Sequence, residues 1–138
     1  MNAKKLSFLL LILVAVACTN RSPSSGQDEM RHWNNVLQQI NALLLENKAR
    51  QTLDLAKQTL PEILESAEKN GTTDTRIYYA RKIFNACGNN YINTKQYKDG
   101  IDYMDSIGNH PLIREHCPHE LLSFKAGLNQ LYGNNPEA

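Results

Sequence analysis

The sequence predicts an all-α protein built from antiparallel helical hairpins stacked in series, with about five helices. Three observations predict this fold class. Apolar residues recur at the i, i+3, i+4, i+7 spacing of amphipathic helices. No segment shows the signals of a strand. The turns between the periodic segments contain only a few residues, which favours antiparallel neighbours.

The first two predicted helices form one hairpin. Asn47-Lys48 separates them, and Asn70-Gly71 ends the second. Pro61 lies within the second helix and lacks an N–H donor, so we expect a kink or a break there. The apolar positions of the first helix are Met30, Trp33, Val36, Leu37, Ile40, Leu43 and Leu44. Those of the second are Ala49, Leu53, Ala56, Leu60, Ile63, Leu64 and Ala67.

The third and fourth predicted helices form a second hairpin. Thr73 or Asp74 caps the third helix, the fourth starts near Gln96, and Gly108-Asn109 ends it. The apolar positions of the third helix are Ile77, Ala80, Ile83, Phe84, Cys87, Tyr91 and Ile92. Those of the fourth are Tyr97, Ile101, Met104 and Ile107.

The fifth predicted helix follows a short loop that holds Pro111. It opens at Pro118, since proline is favoured at the first helical position, and it ends at Tyr132-Gly133-Asn134. Its apolar positions are Leu121, Leu122, Phe124, Leu128 and Leu131.

The sequence ends where a partner for this fifth helix would begin, at Pro136-Glu137. We therefore expect Leu121, Leu128 or Leu131 to be exposed, which implies more chain or self-association through the fifth helix. The alternative is a terminal cap with a polar outer face. Its polar residues would be Glu120, Ser123, Lys125 and Asn129.

The N-terminus has the layout of a secretory signal. Lys4 and Lys5 precede the apolar run 6–16, which is interrupted only by a serine, and Ala15-Val16-Ala17 comes directly before Cys18. The run is shorter than the roughly 20 residues that a membrane-spanning helix needs.

This segment resembles a bacterial lipoprotein signal, although that family usually has Leu at the position of Ala15. The resemblance implies a lipid on Cys18 and cleavage in front of it, hence an extracytoplasmic protein anchored to a membrane of the cell envelope, as in the periplasm. The alternative is ordinary A-x-A cleavage, which leaves Cys18 unmodified. The predicted organisation is a signal peptide at 1–17, a flexible tether at 18–29 and a helical domain at 30–135.

The charge of the chain bears on nucleic-acid binding, and its cysteines bear on the presence of a disulfide. The whole chain carries 15 basic and 14 acidic residues, and the signal segment removes two lysines and no acid, leaving a net charge of −1. No basic patch indicates nucleic acid. Cys87 and Cys117 could pair in an oxidising compartment, but we expect them to be unpaired, with Cys87 buried as a small apolar side chain.

Residues 84–91 resemble the tetratricopeptide pattern, W-x2-L-G-x2-Y followed by A-x3-F and Pro in a 34-residue helix–turn–helix. Gly88 and Tyr91 match, whereas Trp, Leu, Ala and Phe are replaced. Gly88 should let the partner helix approach closely, and the rings of Tyr91 and Tyr97 should be buried at the turn. The residues that carry the resemblance are Phe84, Cys87, Gly88, Tyr91, Tyr97, Gly100, Met104 and Pro111.

Residues 65–97 resemble the tetratricopeptide-like regions of secreted and membrane-attached Bacteroidetes proteins, often found before a sensor-regulator module. The resemblance implies a scaffold or sensory ectodomain that binds a protein or peptide. Two alternatives remain open: a structural helical spacer without a ligand groove, and the N-terminal part of a larger signalling protein.

In that family the first helix of each repeat lines a groove, and amide side chains there can hydrogen-bond a peptide backbone. On the third helix the candidates are Lys82, Asn85, Asn89 and Asn93. On the first they are Gln38 and Asn41, and near the fifth they are His116, His119, Glu120 and Ser123. The alternative is that these residues bind no ligand and form an ordinary polar helix face in contact with solvent.

Catalytic and metal chemistry find no support in the sequence. It has no phosphate-binding glycine loop, no nucleophile elbow and no paired-carboxylate motif. His116, Cys117 and His119 are competent zinc ligands, but they lie within four residues, and a site would need Cys87 or His110 as well. We expect no enzyme, no metal and no cofactor.

Overall fold

The computed structural model describes residues 26–136, and all regular secondary structure within them is helical. The predicted all-α class is confirmed, with six helices in this range. They are α1 Gly26–Leu45, α2 Ala49–Asn70, α3 Asp74–Asn93, α4 Tyr97–Ile107, α5 Pro111–His116 and α6 Pro118–Asn134. The chain divides into two units, Met1–Arg31 and His32–Ala138, and the packing described below is that of the second. The predicted signal peptide and Cys18 lie outside the described residues.

Helix α1 begins at Gly26, four residues before the predicted start of the domain. The helix thus includes residues 26–29, which the sequence assigned to the tether. Asp28 and Glu29 lie in the first turn of α1, where acidic side chains interact favourably with the helix dipole.

Helix α2 is continuous through Pro61, so the break that Pro61 predicted is absent. Leu60, Ile63 and Leu64 are buried on both sides of the proline. Packing of this apolar stripe offsets the loss of one backbone hydrogen bond, and Pro61 itself faces solvent.

Helix α5 replaces the loop predicted around Pro111 and accounts for the sixth helix. Pro111 occupies the start of α5, and the His110 side chain accepts a hydrogen bond from the Leu112 N–H at 3.2 Å. Leu112 and Ile113 are buried. A favourable first position, a side-chain cap and burial together stabilise this short helix.

The turns of the two hairpins have the same backbone geometry. Asn47 and Lys95, the residues in left-handed conformation, have φ values of 57° and 58°. After each, an N–H bonds the carbonyl five residues earlier, as in the Schellman motif: Lys48 to Leu43 at 2.9 Å and Gln96 to Tyr91 at 3.0 Å. Equivalent positions of α1 and α3 are thus 48 residues apart, more than the 34 of the tetratricopeptide pattern.

The two most extensive helix contacts join one consecutive and one non-consecutive pair of helices. The α2–α3 contact is the most extensive, and the α4–α6 contact is second. Helix α3 also packs against α4, α5 and α6. Helix α1 reaches α3 through the rings of Trp33 and Tyr79, whose centroids are 5.8 Å apart.

Contacts along α6 establish its direction. Its successive residues Glu120 and Phe124 meet α3 at Arg81 and Phe84, so α6 runs parallel to α3. Against α4 the order reverses, because Leu121 lies at Gly108 and Leu128 at Gly100. Helix α6 is therefore antiparallel to α4 and fills the angle between α3 and α4.

The predicted exposure of the α6 leucines is wrong for Leu128, which is completely buried. Leu121 and Leu131 are half-buried, and Leu122 is the exposed one, with 66% of its surface accessible. Leu128 is covered because α6 packs into the angle between α3 and α4. No helix among residues 26–136 combines the length and the apolar character needed to cross a bilayer.

Candidate functional site: the polar face of α3

Helix α3 has one buried side and one exposed polar side. The buried side consists of Arg76, Ala80, Ile83, Phe84, Ala86, Cys87, Gly88, Asn90 and Tyr91. The side chains of Tyr78, Lys82, Asn89 and Asn93 are exposed, and their spacing places them on one side of the helix. We call these four residues the α3 polar face. It contains three of the four candidates that the sequence placed on this helix.

The polar groups of this face are available to a ligand. The Lys82 ammonium lies 5.6 Å from the centroid of the Tyr78 ring, a cation–π contact that leaves its hydrogen-bond donors free. Within residues 26–136, the Asn89 and Asn93 side chains make no hydrogen bond to the protein. Each amide can therefore both donate to and accept from a peptide group.

The side chain of Asn85 is less accessible than those of the α3 polar face. Its side chain is half-buried, and its Oδ1 atom is buried without a hydrogen-bond partner in the described part of the chain. It lies one turn after Arg81 and one turn before Asn89 on α3. The Asn85 carbonyl oxygen is thus withdrawn from the exposed face.

Arg81 connects α3 with the candidates on α5 and α6. Its guanidinium donates to the His116 carbonyl at 2.6 Å, and its Nε lies 3.2 Å from Glu120 Oε1. Glu120 is thereby engaged within the protein, and its side chain is only 27% exposed. His116 is half-buried, whereas His119 and Ser123 are exposed and belong to the helix beside α3.

The two candidates on α1, Gln38 and Asn41, are both exposed. Asn41 precedes Asn89 by 48 residues, which is also the distance between the two matching turns. Asn41 therefore occupies in the first hairpin the position that Asn89 occupies in the second. Its side chain also makes no hydrogen bond inside the region that the structure describes. The pair Asn41 and Asn89 repeats one exposed amide on successive first helices.

The residues that carry the tetratricopeptide resemblance are mostly core residues. Phe84, Cys87, Tyr91, Tyr97 and Met104 are buried. Two expectations need correction. Pro111 is exposed, because it starts α5 instead of ending a repeat. The nearest side chain to Gly88 lies on α6 and not on its hairpin partner α4, since a Cβ at position 88 would stand 2.5 Å from the Phe124 ring.

A polar network that the sequence did not predict lies where α2, α3 and α4 meet. The Tyr103 hydroxyl donates to Cys87 Sγ at 3.6 Å. The Lys57 ammonium lies 5.5 Å from the Tyr91 ring and 5.8 Å from the Tyr103 ring. A hydrogen bond to Tyr91 raises the pKa of Lys57. Burial raises the pKa of the Cys87 thiol to about 12, so Cys87 is not a nucleophile near neutral pH.

Arg76 is a buried residue that the sequence reading missed. Its Nη1 donates to the carbonyls of Asn70 and Gly71 at 3.2 and 2.9 Å, and its Nε donates to the Ser66 hydroxyl. It therefore caps the end of α2 from the start of α3. The sequence does contain a sign of this burial, because Arg76 lies four residues before Ala80 and therefore on the apolar stripe of α3.

A small cleft between the end of α2 and α5 has a volume of about 120 Å³. His110 Nε2 lies 3.0 Å from Glu68 Oε1 there, and His116 and Glu115 also line it. Among residues 26–136 no three His, Cys, Asp or Glu side chains are grouped to hold a metal ion. Cys87 and Cys117 are both buried, free thiols.

Three comparisons with known proteins, against family models, curated proteins and solved structures, found no match for this chain.

Proposed function

We propose that this chain is a tetratricopeptide-like domain that binds a protein or peptide through the α3 polar face, as a scaffold or sensory ectodomain. We further propose that it is secreted and tethered to a membrane of the bacterial cell envelope through a lipid on Cys18. The proposal assigns it no enzymatic activity, cofactor or nucleic-acid partner.

The arrangement of the helices supports the first part. Successive hairpins with one turn geometry are characteristic of helical repeats, which present a row of first helices to a ligand. Helix α6 is parallel to α3, as a third first helix would be. The 48-residue offset is longer than the tetratricopeptide period, so the proposal is a related architecture with longer helices.

The observation that carries the binding proposal is the repetition of an unpaired amide at Asn41 and Asn89, with Asn93 one turn further along α3. Several exposed asparagines elsewhere behave differently. Asn109 and Asn129 donate to the Asp105 and Lys125 carbonyls of their own helices. The amides of Asn41, Asn89 and Asn93 are by contrast left free to bond an extended peptide backbone.

Selection from a random-peptide display library tests this proposal. The bait is the full chain with Cys18→Ser, and selected peptides are measured by fluorescence anisotropy. We expect Asn89→Ala with Asn93→Ala to weaken binding by about tenfold, since each lost hydrogen bond contributes about 0.5–1.5 kcal/mol.

The matched control is Asn109→Ala with Asn129→Ala, which removes two exposed amides elsewhere and should leave affinity unchanged. If no peptide is enriched, or if both double variants bind equally well, the α3 polar face is not a binding site. The spacer alternative would then describe the chain better.

A further inference from the structure

We propose that Asn70 is a site of spontaneous deamidation and that Arg76 slows the reaction in the folded protein. This proposal does not depend on the proposed function. It rests on the sequence at the end of α2, on the backbone at Gly71 and on the hydrogen bonds that Arg76 makes to this turn.

The reaction joins the Asn70 side chain to the next backbone nitrogen. The Gly71 nitrogen loses its proton to hydroxide and attacks Cγ of Asn70. The bond from Cγ to Nδ2 then breaks, and Nδ2 leaves as ammonia after taking a proton from water, which restores the hydroxide. Water opens the resulting succinimide ring at either carbonyl and leaves aspartate or isoaspartate. Each conversion adds one negative charge where α2 meets α3.

The sequence and the backbone at this turn leave the attacking nitrogen accessible. Asn70-Gly71 is the one Asn-Gly pair in the sequence, and glycine has no Cβ to obstruct the approach of the Asn70 side chain. Asn70, Gly71 and Thr72 are exposed, and the chain leaves the helix at Gly71 with a φ of 92°. Glu46 and Thr94, which follow α1 and α3, donate their N–H groups to carbonyls four residues earlier. The Gly71 N–H makes no such bond in the described chain.

Arg76 holds the peptide groups on both sides of that nitrogen. Its Nη1 donates to the Asn70 carbonyl at 3.2 Å and to the Gly71 carbonyl at 2.9 Å. The Ser66 hydroxyl oxygen accepts from Arg76 Nε at 3.2 Å and from Asn70 Nδ2 at 3.3 Å. Succinimide formation requires Asn70 to leave its helical conformation and its amide to leave Ser66, because Cγ must reach the Gly71 nitrogen. These hydrogen bonds therefore oppose the reaction.

Incubation of the full chain in mildly alkaline buffer tests the proposal. Samples are digested at acidic pH, where the reaction is slow, and mass spectrometry of peptides measures how much of each asparagine has been converted. We expect Asn70 to convert about tenfold faster than Asn109 or Asn129, because the residues that follow these two exposed asparagines carry side chains.

Arg76→Gln should accelerate conversion of Asn70 by about tenfold and leave Asn109 unchanged, because it removes charge-assisted hydrogen bonds to the turn. Ser66→Ala releases the Asn70 amide and one bond of Arg76. It should also accelerate Asn70, and it decides the matter if Arg76→Gln does not fold. The matched control is Arg114→Gln, which replaces an exposed arginine of α5 that has no ion pair in the part of the chain described.

The same measurement in denaturing urea separates the effect of the fold from that of the sequence. Because no folded turn remains there, the wild type and every variant should convert Asn70 at one common rate. That rate should exceed the rate of the folded wild type.

Three results would overturn the proposal. One is that Asn70 converts no faster than Asn109 and Asn129 in the folded wild type, which would mean that it is not a modification site. Another is that Arg76→Gln and Ser66→Ala match Arg114→Gln at Asn70, or accelerate Asn109 equally, so that Arg76 does not specifically restrain this turn. The third is that the folded wild type converts Asn70 as fast as the chain in urea.

Discussion

Gly88 on α3 and Phe124 on α6 are in direct contact, and a Cβ atom at position 88 would stand 2.5 Å from three carbons of the Phe124 ring. This is closer than a methyl group and an aromatic carbon can approach, so the glycine is what lets α6 lie against α3. The Phe84 and Phe124 rings meet edge to face beside it, with centroids 5.8 Å apart.

Gly88→Ala should therefore lower the free energy of unfolding by about 1–3 kcal/mol, the usual cost of overpacking. The measurement is urea denaturation followed by circular dichroism. Gly127→Ala is the matched control, because Gly127 is also helical but has nothing within 4 Å of its Cβ position. That change should stabilise by about 0.5–1 kcal/mol. Equal effects of the two substitutions would show that the contact at Gly88 is not tight.

Lys95→Gly should stabilise the protein by about 0.5–1 kcal/mol. Lys95 has a φ of 58°, a left-handed conformation that costs a residue with a side chain roughly 1–2 kcal/mol, and part of the gain is offset by the greater freedom of glycine in the unfolded chain. Asn47→Gly is the comparison, since asparagine tolerates this conformation and should gain less. Thermal unfolding of both variants shows which substitution stabilises the protein more. A larger stabilisation by Asn47→Gly than by Lys95→Gly would contradict the prediction.

Stability should fall in alkali because of Cys87. Burial raises the pKa of its thiol from an ordinary value of 9.0 to about 12, so between these values the unfolded chain loses a proton that the folded chain keeps. The free energy of unfolding then decreases with rising pH. The expected loss from this one group is roughly 1 kcal/mol between pH 9 and pH 10.

Cys87→Ala should show a shallower decline over the same interval, whatever its stability at neutral pH. Urea titrations at several pH values supply both slopes. Identical slopes would mean that the thiol is not shielded in the folded protein.

Cys18 should carry a lipid, because it directly follows Ala15-Val16-Ala17 and an apolar run. The chain is expressed in a bacterial host with labelled palmitate, and we expect label in the wild type and none in Cys18→Ser. Equal incorporation in the two would leave ordinary signal cleavage as the better account of this segment.

The fold class could be predicted because each helix carries its own periodic apolar stripe. The break expected at Pro61 is absent because burial of Leu60 and Ile63 stabilises the helix more than the proline destabilises it. The apolar periodicity alone does not show which of the two effects is larger. Helix α5 was missed because its six residues are too few to show a period, and its cap is a histidine side chain, which is not a common capping residue.

The exposure of Lys82, Asn89 and Asn93 could be predicted, since all three lie opposite the apolar stripe of α3. The role of Arg81 could not be predicted, because it depends on where α6 packs. That position is set by Gly88 and Gly100, whose effect on helix approach appears only once the partner helix is known. The sequence correctly indicated that Gly88 lies at a close helix–helix contact, but it did not indicate that the nearest side chain there is Phe124 of α6.

Peptide binding at the α3 polar face can be observed directly in the NMR spectrum of the asparagine side-chain amides of the full Cys18→Ser chain, recorded with and without a selected peptide. We expect the amides of Asn89, Asn93 and Asn41 to shift on binding, because they are unpaired groups at the proposed binding surface of the first helices. The amides of Asn109 and Asn129, which bond their own helices, should stay in place. Shifts confined to Asn109 and Asn129, with no change at Asn89 and Asn93, would contradict the assignment of the α3 polar face as the binding surface.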